Sequence, residues 1–378
     1  MSAPLSVLLD RWRRDLDPPL PGRVVVAPSA RAYVVAAMAK RLGRPVLVVV
    51  AGEREAEDLV EDVAIFTDDV LQLPAWETLP FEHVSPNIVT MAARVEARHR
   101  LTLKAPLVVV ASVRAVIQRL SPTRVEPLVL RQGDRYDFSD LVANLVDLGY
   151  SRVDRAEARG DMAVRGGIVD VFPPTTVGPY RLDFWGDDLE EIRSYSANSQ
   201  RSEDAVDAIA VYPAREVIID SDLAGRAKEL LADAPWAADT WDRIANQISF
   251  QGMESWLPWL ARPSTILDAT DGVPVVLFDP VRCAARAESL IAEEEDLAVA
   301  LSDTWGSEGP EGGAHPPLYL PLDTDAVSDR LVEAPPQPSG PGDDGYEIRS
   351  LDAVPGDPES IARAINLWKE RGVEIVVA

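Results

Sequence analysis

The chain has 378 residues, 47% of them hydrophobic, enough for two or three domains with real cores. Its 62 Asp and Glu against 37 Lys and Arg give a formal net charge of −25, which argues against a nucleic-acid partner held by the bulk field, since duplex binding needs basic side chains to neutralise phosphates. The single cysteine, Cys283, excludes a disulfide framework, and no run approaches the roughly 18 apolar residues of a membrane helix, so the reading is a cytoplasmic protein without a membrane partner.

From the start, "MSAPLSVLLDRWRRDLDPPLPG" lacks a signal-peptide core, because Asp10, Arg11, Arg13 and Arg14 break its apolar run. Ser6–Leu16 reads as an amphipathic helix stopped by "DPPLPG". Val24–Val26, Val46–Val50 and Leu107–Ala111 are short continuous apolar runs, as in strands of a parallel sheet covered on both faces. Helical stretches at Ala32–Leu42, Glu53–Thr67 and Ile88–Leu103 separate them. Within the last, Arg94, Arg98, His99 and Arg100 form a basic side, a candidate for weak DNA contact. The three histidines, His83, His99 and His315, and Cys283 lie far apart in sequence, with no metal-ligand spacing.

"RVVVAPSARAYVVAAMAKRLGRPVLVVV" has the strand–turn–helix–strand outline of a nucleotide-binding unit. A phosphate-binding loop needs glycines, so that backbone N–H groups can close round the phosphates, and a Lys to reach the outer ones. The turn here is Pro28, Ser29, Ala30 and Arg31, and Pro28 removes one N–H donor. The expectation is a vestigial turn that supports the sheet and binds no cofactor.

The pattern changes after residue 123. Asp140–Leu148 reads as a helix ended at Gly149. "MAVRGGIVDVFPP", "PYRLDFWGDDLEEIRSYS" and "AIAVYPAREVII" read as strands, with a hairpin at Gly-Asp-Asp. Alternation along residues 180–185 turns Tyr180, Leu182 and Phe184 inward and Arg181, Asp183 and Trp185 outward. Trp and Arg are enriched at binding hot spots, so this outward row is either an interface or a capping contact within the fold. Asp170 and Asp183 are candidate partners that orient the arginines. Gly166 and Gly167 admit two readings, close approach of another backbone or a bulge.

Farther on, "VVLFDP" (residues 275–280) is one more buried strand, and Cys283–Leu301 a helix whose acidic run Glu293–Asp296 reads as a solvated face. Residues 302–345 are Pro- and Gly-rich and read as a linker. Pro358–Arg371 then looks helical and "GVEIVVA" looks like a strand. Stopping on the first elements of a following domain is the pattern expected of a fragment.

"LPAWETLPFEHVSP" (73–86), "AVRGGIVDVFPPTTVGPYRLDFWGDDLEEIRSYSANSQRS" (163–202) and "SFQGMESWLPWL" (249–260) together resemble the N-terminal region of the bacterial transcription-repair coupling factors (Mfd), itself similar to the first domains of UvrB. The resemblance covers roughly residues 20–300. It implies an α/β fold, a UvrB-like parallel-sheet domain of degenerate P-loop NTPase type, in two halves at 1–123 and 213–301. A small α+β UvrA-binding domain at 124–212 interrupts it, and 302–345 is the linker before a truncated domain at 346–378. Arg165, Arg181 and the aromatic position 185 fall on residues that contact UvrA in the family. Trp185 stands where Phe is more usual, and Asp161 and Met162 replace Glu or Gln and Phe. Trp76 and Phe81 read as core packing.

The function implied by the resemblance is a non-catalytic module that recruits UvrA to stalled RNA polymerase, with charge reversal at Arg165 or Arg181 removing UvrA binding and sparing the fold. RNA polymerase, DNA, ATP and Mg would be engaged by other parts of a longer parent, an ATP-dependent translocase. An active UvrB-like helicase is the enzymatic alternative. A third reading is autoinhibition, in which the insert docks on a distant domain of the parent.

Overall fold

The structure is a computed structural model that describes residues 3–12, 17–79, 82–122, 126–196, 202–301, 315–338 and 357–371. The body opens with β1 (Gly22–Arg23), α1 (Arg31–Leu42), β2 (Pro45–Val50), α2 (Glu53–Ala64), β3 (Val70–Leu73), α3 (Ile88–Leu101), β4 (Leu107–Ser112) and α4 (Val113–Ile117). An insert follows, with β5 (Leu128–Arg131), α5 (Phe138–Asp147), β6 (Ser151–Arg152), β7 (Asp161–Arg165), β8 (Ile168–Val171), β9 (Tyr180–Trp185), β10 (Asp188–Tyr195), β11 (Ser202–Ala205) and β12 (Ala208–Val211). The body resumes with α6 (Ser221–Asp233), α7 (Ala238–Ala245), α8 (Leu257–Leu260), α9 (Ile266–Ala269), β13 (Val275–Phe278), α10 (Pro280–Ala300) and β14 (Leu331–Ala334); α11 (Pro358–Glu370) comes last.

The body is a parallel sheet in the order β1-β14-β13-β2-β4-β3. Its valine runs are buried on both sides. Val46, Val48 and Val50 face the layer holding α1 and α2, while Leu47 and Val49 face the layer of α6 to α10. Side chains alternate across a strand, so a strand between two helical layers has no position left for polar residues. The expected α/β architecture with an interrupting domain is therefore the observed one. Among the described residues no helix is long and apolar enough to cross a membrane.

Three stretches differ from the sequence reading. The first helix is a 3-10 turn over Ser6–Arg11, because Trp12 goes extended and packs edge-on against Tyr33 at 5.3 Å. The Pro/Gly-rich stretch is not simply a linker: Leu331–Ala334 is a strand of the main sheet, between β1 and β13. Four residues beside prolines carry too little periodicity to stand out. Nor is the acidic run 293–296 wholly solvated. Glu294 is buried and accepts the backbone N–H groups of Leu318 and Tyr319 at 2.7 and 2.8 Å, while burial pushes its pKa up. Phe81, residues 302–314 and "GVEIVVA" lie outside the described residues.

Cys283 is sealed in the core with its thiol donating to the Phe278 carbonyl at 3.1 Å, and burial pushes its pKa up to about 12. The thiolate is the reactive form. Native chain is therefore expected to resist iodoacetamide at neutral pH and react once denatured; fast native alkylation, read by mass spectrometry, would contradict this burial.

Candidate partner-binding surface

The insert carries a six-stranded sheet, β11-β10-β9-β8-β7-β6, antiparallel except for the β6–β7 pair, beside the two-stranded β12-β5. Met162, Val169, Leu182, Phe184, Leu189 and Ile192 turn one face into a core with α5. Register then decides the other face. Arg165 pairs with Ile168 and Ile168 with Asp183; Asp170 pairs with Arg181 and Arg181 with Arg193; Trp185 pairs with Asp188 at the hairpin end. Arg165, Arg181 and Trp185 thus share the outer face. Arg165 and Asp183 lie two strands apart, about 10 Å.

Their availability differs. Trp185 is 77% exposed beside the Gly186–Asp187 turn. Arg165 is exposed, and among the described residues it donates to the Asp154 carbonyl alone, at 2.5 Å. Arg181 is committed to its cross-strand neighbour. Its Nε and Nη2 donate to the two Asp170 oxygens at 2.7 and 2.8 Å, and its guanidinium stacks 5.0 Å from the Tyr195 ring. Asp170 is buried, and its hydrogen bond raises the Arg181 pKa further. Asp170 therefore orients Arg181, and reversing the charge at Arg181 would leave a buried carboxylate facing another, so this substitution is not expected to spare the fold.

Of the glycine pair, Gly167 is the one approached closely by another backbone. A Cβ there would sit 2.6 Å from the Phe184 carbonyl oxygen, and Phe184 N–H donates to Gly167 at 2.8 Å. The backbone that approaches is the chain's own, while Gly166 makes the tight β7–β8 turn with φ +61°. Sequence reasoning missed Arg193, which pairs with Glu191 on the same outer face. The available signal was the odd spacing of Leu189 and Ile192: both reach the core only because the register shifts between Leu189 and Glu191.

The body offers its charged groups less freely. Arg31 is buried, with Nη1 donating to Glu55 at 2.5 Å and the guanidinium 4.8 Å from the Phe278 ring. Pro28–Ala30 forms a 3-10 turn with no glycine, so the residues present do not fit a phosphate cradle. Among the described residues no three His, Cys, Asp or Glu side chains gather to hold a metal ion. The basic side of α3 is likewise spent internally: Arg94 is fully buried, pairing through Nε with Glu216 at 2.7 Å, and Arg98 lies 3.6 Å from the same carboxylate.

Glu216 also accepts the Trp76 indole N–H at 2.7 Å, which explains why Trp76 belongs to the core. Next to it, Arg215 donates to Glu254 at 3.0 Å, and Glu254 accepts Ser85 Oγ at 2.5 Å. The motif residues of 73–86 and 249–260 therefore close on the segment leaving the insert.

Comparison with known proteins agrees with this partition. Residues 128–217 match the model of the UvrB interaction domain family, from the first residue of β5 to just past Glu216. The transcription-repair-coupling factors of Mycobacterium bovis and Mycobacterium tuberculosis are each 40% identical over 304 residues, 74% of this chain and 24% of theirs. That of Escherichia coli is 33% identical over 196 residues, 51% of this chain and 17% of its own. The chain spans about a quarter of the length of the mycobacterial relatives it matches. A UvrB interaction domain inside a stretch of such identity places the chain in the family of transcription-repair-coupling factors.

Proposed function

We propose that this chain is a non-catalytic recruitment module of transcription-coupled nucleotide excision repair, which docks UvrA on the outer face of the insert. RNA polymerase and DNA, and the ATP and Mg of a translocating motor, belong in this reading to other parts of a longer parent, in the cytoplasm. The observation that carries it is Trp185, a large aromatic left 77% exposed on the same sheet face as Arg165. An exposed indole and a guanidinium on one sheet face are the residue types of a binding hot spot. Arg181 contributes through the face it holds in shape with Asp170. The helicase alternative loses ground, since the Pro28–Arg31 turn lacks a phosphate cradle and Arg31 is tied to Glu55.

Binding of the whole chain to purified UvrA tests the reading, by calorimetry or biolayer interferometry. Arg165→Glu and Trp185→Ala are expected to weaken binding by about 2–4 kcal/mol each while melting like the parent chain. Native affinity in both variants would overturn it.

A further inference from the structure

Two adjoining depressions meet at the β6 edge of the insert sheet, sharing Arg152 and Val164. One, about 520 Å³, is an apolar trough against α5, lined by Phe138, Val142 and Val146. The other, about 480 Å³, runs past Val153 and Asp154 to Arg165. Together they lead from the helix side of the insert to the outer face that bears Trp185.

Arg152 and Arg165 line this groove, and Arg155 follows Asp154 in the chain just beside it. Arg135, Arg181 and Arg193 are each paired with carboxylates. Arg152 and Arg155 are exposed, and among the described residues neither has an ion-pair or hydrogen-bond partner. Among the described residues Arg165 donates to a carbonyl and to no carboxylate. In a chain of net charge −25, three guanidinium groups gather at one edge without an ion-pair partner among the described residues, against Asp147 and Asp154 in the same groove. The apolar side is also uncovered, with Val146 50% and Val153 37% exposed. The edge backbone is open as well: Ser151 and Val153 donate inward to Gly160 and Met162 at 2.8 and 2.9 Å, which turns the Arg152 N–H outward.

We infer that this groove takes an extended acidic segment of the protein partner, one apolar side chain filling the Phe138–Val142–Val146 trough and carboxylates meeting Arg152, Arg155 and Arg165. The inference rests on the reading that the insert docks UvrA, and it extends that contact round the sheet edge through Arg165. Asp147 and Asp154 also line the groove. They would repel a continuous phosphate backbone, whereas a peptide can place its carboxylates between them.

The test uses the whole chain and purified UvrA. The double variant Arg152→Glu/Arg155→Glu, and separately Val146→Asp, are expected to weaken binding about tenfold or more, with the double variant also losing much of the salt dependence. All three positions are exposed, so unchanged melting serves as the control. Native UvrA affinity in these variants, while Trp185→Ala has lost it, would overturn the groove and leave the outer-face reading standing. Failure of the unaltered chain to bind UvrA would overturn both. Loss of affinity for a duplex DNA probe with UvrA affinity unchanged would make the groove a nucleic-acid contact and overturn the inference.

Discussion

Replacing Glu216 with alanine is expected to cost about 3–5 kcal/mol of folding stability, the range for breaking one side of a buried ion pair. Three groups converge on this carboxylate, the Trp76 indole N–H, Arg94 Nε and, at 3.6 Å, Arg98. Both members of the Arg94–Glu216 pair are fully buried. Without Glu216 the Arg94 charge stays inside, and the acceptor left to it among the described residues is the Pro74 carbonyl, 2.7 Å away. The indole N–H is left without its acceptor. Replacing the pair together, as Arg94→Leu/Glu216→Leu, should cost less than Glu216→Ala alone, since no charge is then stranded. Guanidinium unfolding followed by tryptophan fluorescence measures both. A loss below about 1 kcal/mol for Glu216→Ala would mean that water solvates the site and that the pair does not hold the joint.

Arg181→Glu is expected to destabilise the insert by about 2–3 kcal/mol, because it converts a part-buried bidentate pair into two adjacent carboxylates. Asp170 is buried beneath the fork, and Asp183 adds a second negative charge on the same strand face. Arg181→Lys should fall between this variant and the parent, since an ammonium keeps the charge and loses the fork. Loss of UvrA binding in Arg181→Glu would therefore accompany a damaged sheet, whereas the same loss in Arg165→Glu would not. Thermal unfolding separates the two. A melting curve for Arg181→Glu matching that of the parent chain would show that the Asp170 contact contributes little.

Much of this was legible in the residues. The valine runs of β2, β4 and β13 announce a sheet covered on both faces, and alternation along β9 correctly sends Leu182 and Phe184 inward and Trp185 outward. What escaped is non-local. Arg94 looks like part of a basic helix face until its partner, Glu216, arrives 122 residues later. Glu294 looks solvated until residues 318 and 319 fold over it. The freedom of Arg165 and the captivity of Arg181 depend on which strand lies beside which, and a single strand's pattern does not contain that. β3 and β14 are four residues each, too short for a period to show.

The position of β14 also sets a timetable for biogenesis. β1 has β14 as its sheet neighbour, and Arg23 reaches Glu333 across 310 positions of chain. At ribosomal rates of about 5–20 residues per second, the N-terminal strand would wait roughly 15–60 s for its mate to be synthesised. The insert closes its own sheet within a far shorter span of sequence, so it can assume its native shape during translation while the surrounding body still lacks its last seam.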